Sequence, residues 1–167
     1  MKSTAPYLLS AALLSFGGLV PMQSAANEAA HETLEAESGP HIVELFIGST
    51  YADHHGHREH AFSIGGQYRY ALSHRTSVGV LAEYATESLD AWVVGIPLVV
   101  NLGDTRWQLT AMPGAEIEGG NTEFLFRAGV GYEFEMEGGY SIKPEINVDW
   151  VDGEASVVTG LSFGWRF

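Results

Sequence analysis

The chain has 167 residues, no cysteine, and 21 acidic against 8 basic side chains, for a net charge of −13. One domain's length with 46% hydrophobic residues excludes a disordered chain. The lack of cysteine excludes a disulfide scaffold, a thiolate zinc centre and a cysteine nucleophile, and the acid excess repels phosphate backbones, so nucleic acid is not an expected partner.

Residues 1–26 read as a signal peptide. Lys2 supplies the positive start, and Tyr7–Val20 is an apolar stretch of 14 residues, short for a transmembrane helix. Pro21 breaks it, and Ser24-Ala25-Ala26 places small residues for cleavage after Ala26. Removal of this segment leaves 7 bases against 21 acids. Residues 27–40 are polar, carry four glutamates and end on Gly39-Pro40, as expected of a periplasmic linker. No later apolar run is long enough to span as a helix, so only a closed barrel could hold the exported chain in a membrane.

From His41 onward the dominant period is two. It is clearest over Thr122–Met136, where Phe124, Phe126, Ala128, Val130, Tyr132, Phe134 and Met136 share one face. Glu123, Leu125, Arg127, Gly129, Gly131, Glu133 and Glu135 share the other. A strand separates these sets, because successive side chains point to opposite sides, whereas a helix mixes them. The same reading predicts eight strands over 41–51, 60–72, 76–86, 91–102, 105–117, 122–136, 140–151 and 154–167. Turn residues separate them: Ser73-His74-Arg75, Gly103-Asp104, Gly119-Gly120-Asn121, Glu137-Gly138-Gly139 and Asp152-Gly153. No connection is long enough for a crossover helix, so the expected fold is all-β, an eight-stranded antiparallel up-and-down transmembrane barrel over 41–167. Pro97, Pro113 and Pro144 lack a ladder donor, which predicts bulges or bends at those positions.

The tryptophans say which face is outside. Trp92 and Trp150 fall at one end of the strands and Trp107 and Trp165 at the other, all on the apolar face. Tyr84 joins the first pair, and Tyr68, Tyr70, Tyr132 and Tyr140 join the second. Two aromatic girdles on an apolar face mark a barrel at two membrane interfaces. The last strand, Gly160–Phe167, places Leu161, Phe163, Trp165 and the terminal Phe167 on one face. It resembles the C-terminal signal by which outer-membrane barrels are recognised for insertion. As a whole, 41–167 resembles the OmpA/OmpX-like group of small barrels, and 113–167 resembles uncharacterised proteobacterial members of it. The resemblance implies fold and an outer-membrane location in a Gram-negative bacterium. Lipid, lipopolysaccharide and the assembly machinery are the implied partners, and a monomer is expected. It transfers no catalytic residue, and the peptidoglycan-binding domain of full-length OmpA proteins is not expected.

The other face should fill the lumen. It supplies Glu44, Gln67, Arg69, Glu83, Gln108, Thr110, Glu116, Glu123, Arg127, Glu133, Glu135, Lys143, Glu145, Asn147, Asp149 and Arg166. Eight strands leave an interior just wide enough for side chains, and buried charges need partners. Arg69, Arg127, Lys143 and Arg166 are therefore expected to pair with carboxylates. The excess of acids gives the alternative function, a narrow proton or cation path.

Asp53–His60 (DHHGHREH) is the densest chemical feature. His54, His55, His57 and His60 form the candidate metal site, since imidazole suits zinc, copper and nickel. With the N-terminus in the periplasm this stretch should be an external loop. No cofactor is expected apart from a zinc or copper ion there. Catalysis is not expected: a lipid A-modifying enzyme needs a Ser–His–acid set. The nearest residues, Ser63, His60 and Glu83, form no nucleophile motif, and Ser63 falls on the inward face. The reading is thus a structural or surface-interaction barrel.

Overall fold

The structure, a computed structural model, describes residues 39–54, 57–86 and 89–167, with side chains at all of these except 53–58. The expected signal peptide and all but the end of the expected linker lie outside the described residues. Ten strands form one antiparallel sheet: β1 (His41–His54), β2 (His57–Ser73), β3 (Thr76–Ala85), β4 (Ala91–Gly95), β5 (Leu98–Asn101), β6 (Trp107–Glu118), β7 (Asn121–Tyr132), β8 (Phe134–Glu135), β9 (Tyr140–Val151) and β10 (Glu154–Arg166). β4 with β5, and β7 with β8, each make one stave of the wall. Neighbours follow chain order, and β10 pairs with both β9 and β1, so eight staves close into a barrel.

The chain termini and the turns after β2, β5 and β8 lie at one end, the terminal end. The turns after β1, β3, β6 and β9 lie at the other, the hairpin end. Those after β6 and β9 are tight. Glu118 pairs with Asn121 and Val151 with Glu154, leaving two residues in each turn. Gly119 and Gly120 have φ of 56° and 87°, and Asp152 and Gly153 have 45° and 86°. Positive φ at both positions is the hairpin geometry that matches strand twist, and it explains the glycines there. The stretch expected as an external loop is mostly strand: β1 and β2 pair up to a His54–His57 rung, leaving only residues 55–56 between them.

The prolines interrupt the wall without shifting it. Pro113 lies opposite Ile96, whose amide donates to the Pro113 carbonyl at 3.0 Å, while the Gly79 amide donates to the Pro97 carbonyl at 3.0 Å. Neither proline can return a bond, so both flanking ladders lapse over residues 96–97 and split β4 from β5. The register resumes unchanged, with Val78 opposite Leu98 and Leu81 opposite Gly95. Pro144 acts likewise: the β7–β9 ladder stops at Gly131–Glu145 and resumes at Phe134–Ile142. The bulges expected at these prolines are therefore absent, and β6 and β9 run through Pro113 and Pro144. Each proline turns its missing donor toward one neighbour, and beyond Pro113 and Pro144 the ladders to β7 and β10 are intact.

Side chains alternate as the sequence requires. Val43, Leu45, Val80, Leu109, Phe124, Val130, Ile146, Leu161 and Phe163 are exposed on the outer wall, and all four tryptophans are between 43% and 49% exposed. The rings gather at two levels. Tyr84 lies against Trp92 and Phe126 against Trp150 toward the hairpin end. Trp107–Tyr132, Tyr140–Trp165 and Trp165–Phe167 ring the terminal end.

The lumen is less uniformly polar than the strand pattern suggests. Ile42, Phe46, Val93, Val99, Met112, Leu125 and Val158 are buried there. Val93, Met112 and Leu125 pack together with Leu81 and Val151 against them. Phe46 fits because the wall beside it is bare: a Cβ at Gly48 or Gly160 would collide with its ring. Close approach of an aromatic ring to the backbone is what makes glycine necessary at this pair.

Candidate functional site: two buried ion networks and an acidic mouth

The lumen holds two ion networks. Near the terminal end, Glu44 (β1) sits between two bases, one from the adjacent stave and one from two staves away on the other side. Arg69 (β2) donates to both its oxygens, at 2.7 and 3.2 Å, and to the Ser77 hydroxyl at 2.8 Å. Lys143 (β9) reaches Glu44 at 3.1 Å and Glu145 at 3.2 Å. The Gln67 amide donates to Glu44, and the Ser162 hydroxyl donates to Glu145 at 3.0 Å. Toward the hairpin end, Arg127 (β7) grips Asp149 (β9) with two parallel bonds of 2.6 and 2.7 Å and Glu83 (β3) with a third of 2.6 Å. All five charged groups Glu44, Arg69, Glu83, Arg127 and Asp149 are 2–3% exposed. Two parallel N–H···O bonds fix a guanidinium in its plane, which a lysine could not reproduce.

The expected pairing of Arg69, Arg127 and Lys143 with carboxylates is thus present. Arg166 is the exception: it is half-buried at the terminal rim, outside both networks. Glu123 and Glu135 are exposed rather than luminal, because they occupy strand ends where the wall meets solvent. Gln108 donates to Glu133, and its own carbonyl oxygen is buried with no partner among the described residues.

Above the Arg127 network the hairpin end opens as a funnel. One side is apolar: Ala52, Ala85, Leu89, Ala91 and Val93. Leu89, from the turn after β3, folds inward onto Ala52, Ala61, Ala85 and Ala91. The other side carries Glu116, Glu118 and Glu154, and the floor is Glu83 and Asp149. The sequence reading missed this mouth. Its signal was the inward parity of small residues at 52, 61, 85 and 91, which polar-residue searching passes over.

Of the candidate metal ligands, the side chains of His54, His55 and His57 lie outside the described residues. His60 lies on the outer wall, its ring 4.8 Å from that of Tyr51. Ser63 is fully buried in the lumen, where its hydroxyl bonds Thr50 at 2.6 Å. His60 and Ser63 therefore stand on opposite sides of β2, and Glu83 is engaged by Arg127. The strand period that defines the wall thus separates His60 from Ser63 and Glu83.

Solved structures with the same architecture are small outer-membrane barrels. The N-terminal β-barrel domain of Pseudomonas aeruginosa OprF is similar with a TM-score of 0.65 at 12% identity, over 78% of this chain and 100% of that one. Neisserial surface protein A follows with 0.60 at 11%, over 78% and 99%. Ail of Yersinia pestis, solved with the heparin analogue sucrose octasulfate, gives 0.53 at 16%, over 78% and 99%. No family model and no curated protein matches the sequence. The fold is that of the small outer-membrane β-barrel.

Proposed function

We propose that the chain is a structural or surface-interaction barrel of a Gram-negative outer membrane, exported by the signal peptide at 1–26 and standing in lipid and lipopolysaccharide as a monomer. The apolar outer wall, bounded by aromatic rings at two levels, carries this reading. In water such a wall would be an aggregation surface, whereas in a bilayer it is the lipid contact. Satisfied ion networks across a narrow lumen support a plugged barrel over a proton or cation path, and the separation of Ser63 from His60 supports a non-enzyme. The sulfated sugar bound in the Ail structure has the wrong charge for this chain, whose mouth is acidic. The test is reconstitution into vesicles of brominated lipid. All four tryptophans sit at the belt's edges, so strong quenching of their fluorescence is expected. A chain that stays soluble and unquenched, or fractionates as a free periplasmic protein, would overturn the reading.

The hairpin tip is a second proposal, because the register sets the backbone of His54 opposite that of His57 on the last rung of β1–β2. A divalent ion such as zinc or copper held there would bind more weakly as pH falls toward about 5, since protons compete for imidazole nitrogen. Calorimetry at pH 7.5 should give a binding isotherm that the triple change of His54, His55 and His57 to alanine removes. No heat from the unaltered barrel would make the tip an ordinary polar turn.

A further inference from the structure

Among the described residues, the terminal half of the lumen holds more acid than base. Glu44, Glu133 and Glu145 turn into it against Arg69 and Lys143, and Arg166 stands apart at the rim. The surplus negative charge is localised at Glu133. Arg69 and Lys143 serve Glu44, and Lys143 also reaches Glu145. Glu133 is buried and meets no base at ion-pair distance among the described residues; its carboxylate accepts from the Gln108 amide. Lys143 is its cross-strand neighbour, since both lie one step outside the Phe134–Ile142 rung on the inward face. Bare Gly131 gives the lysine stem room to run the other way: a Cβ there would stand 3.0 Å from Cγ and Cδ of Lys143. Gln108 shows the same shortage from the other side. It is 3% exposed, its Nε2 is given to Glu133, and its carbonyl oxygen is buried with no hydrogen-bond partner among the described residues. A buried acceptor without a partner is costly, and a buried carboxylate without a counter-charge more so.

We propose that Gln108 and Glu133 form a binding site for one monovalent metal cation, of the sodium type, at the terminal end of the lumen. Carboxylate and amide oxygens are the ligands that hard cations take. One ion answers both deficits: it gives Glu133 its missing counter-charge and the Gln108 carbonyl its missing partner. Water answers only the second, because it leaves the buried carboxylate uncompensated. A single surplus charge calls for a single positive charge. Calcium and magnesium take about six or more oxygen ligands, whereas two side chains offer theirs here, and the Lys143 ammonium on the neighbouring strand opposes a second charge. The exposed Glu135, two residues on from Glu133, marks the terminal rim, so the ion enters from that end. Beyond Glu133 the paired networks close the lumen, which makes the site a dead end and not a path.

The test is a sodium chloride titration of the full chain refolded in a non-ionic maltoside, with choline chloride holding the ionic strength constant. Its outcome does not depend on the medium that covers the wall in the cell. The side-chain amide signals of Gln108 in NMR should shift saturably with sodium, and the urea midpoint should rise along the same curve, as a ligand of the folded state requires. Glu133→Gln keeps the shape, removes the charge and should abolish both responses. Glu123→Gln, at the exposed hairpin rim, should leave both intact. Should the Glu133 variant fail to refold, the unaltered chain still decides: no sodium-dependent shift of Gln108 assigns its carbonyl to water and overturns the proposal. A shift that choline chloride produces equally would mean charge screening. Magnesium binding more tightly than sodium would mean a divalent chelate. An infrared band of a protonated carboxyl that Glu133→Gln removes would mean that a proton supplies the missing charge. Each of these three results also overturns it.

Discussion

Three hydrogen bonds to two carboxylates hold Arg127 in the lumen, and each group is almost fully out of water. Such an arrangement costs heavy desolvation and repays it only while every partner is present. Arg127→Met removes the cation and leaves Glu83 and Asp149 buried side by side. The expected loss is about 3–5 kcal/mol, the usual cost of breaking a buried pair from one side, read as a lower urea midpoint of the refolded barrel. Arg75→Ala is the control: its contact with Asp104 is 3.2 Å long, and Asp104 is 97% exposed, so the midpoint should not move. The identity of these inward charges was legible in the sequence, because strand parity alone assigns Arg69, Arg127, Lys143 and their carboxylates to one face. Their pairing was not. Which acid meets Arg127 depends on rungs between strands far apart in sequence, and parity carries no information about rungs. Arg166 shows the limit: it has the right parity but stands where the wall ends.

At the scale of the strand, the pattern fixed all eight staves, since one polar–apolar period marks each crossing and glycine-rich pairs mark the returns. It failed at the prolines and at the histidines, for opposite reasons. Proline signals a missing donor, but whether the sheet answers with a bulge depends on which neighbour the missing donor faced. Here each gap faces one neighbour and the register holds. Asp53–His60 reads as a loop by composition, yet most of it is ladder, because hydrogen bonding to β1 outweighs the weak strand preference of polar residues. The Ile96–Pro97 gap is therefore a defined defect. Pro113→Val would supply an amide directed at the Ile96 carbonyl. Residue-resolved hydrogen exchange should find that new amide protected, and the Ile96 amide slower to exchange than in the unaltered chain. An unprotected amide at 113 would show that the ladder lapses for a reason other than the missing donor.

For the whole molecule the deciding quantity is the medium that covers the outer wall. β9 runs from Tyr140 in the terminal girdle to Trp150 in the hairpin-end girdle, and Ile146 lies between them, 53% exposed. If lipid covers this belt, Ile146 sits near the midplane of the bilayer, where no water solvates a charge. Ile146→Arg should then cost roughly 2–4 kcal/mol of folding stability in phospholipid vesicles, the range for a base at mid-depth on a barrel's lipid face. The same change at the hairpin rim, Ile117→Arg, lies nearer the interface, where the cost falls to about 0–1 kcal/mol. The difference between the two is the informative number, because both place an arginine on the same outer wall at the end of an apolar side chain's reach. A membrane gives a steep dependence on depth. Water, or a protein partner wrapping the wall evenly, gives the two positions similar costs. Measured by reversible unfolding in vesicles, a large gap between Ile146→Arg and Ile117→Arg is the expected result, and equal values would remove the bilayer from the account of this barrel.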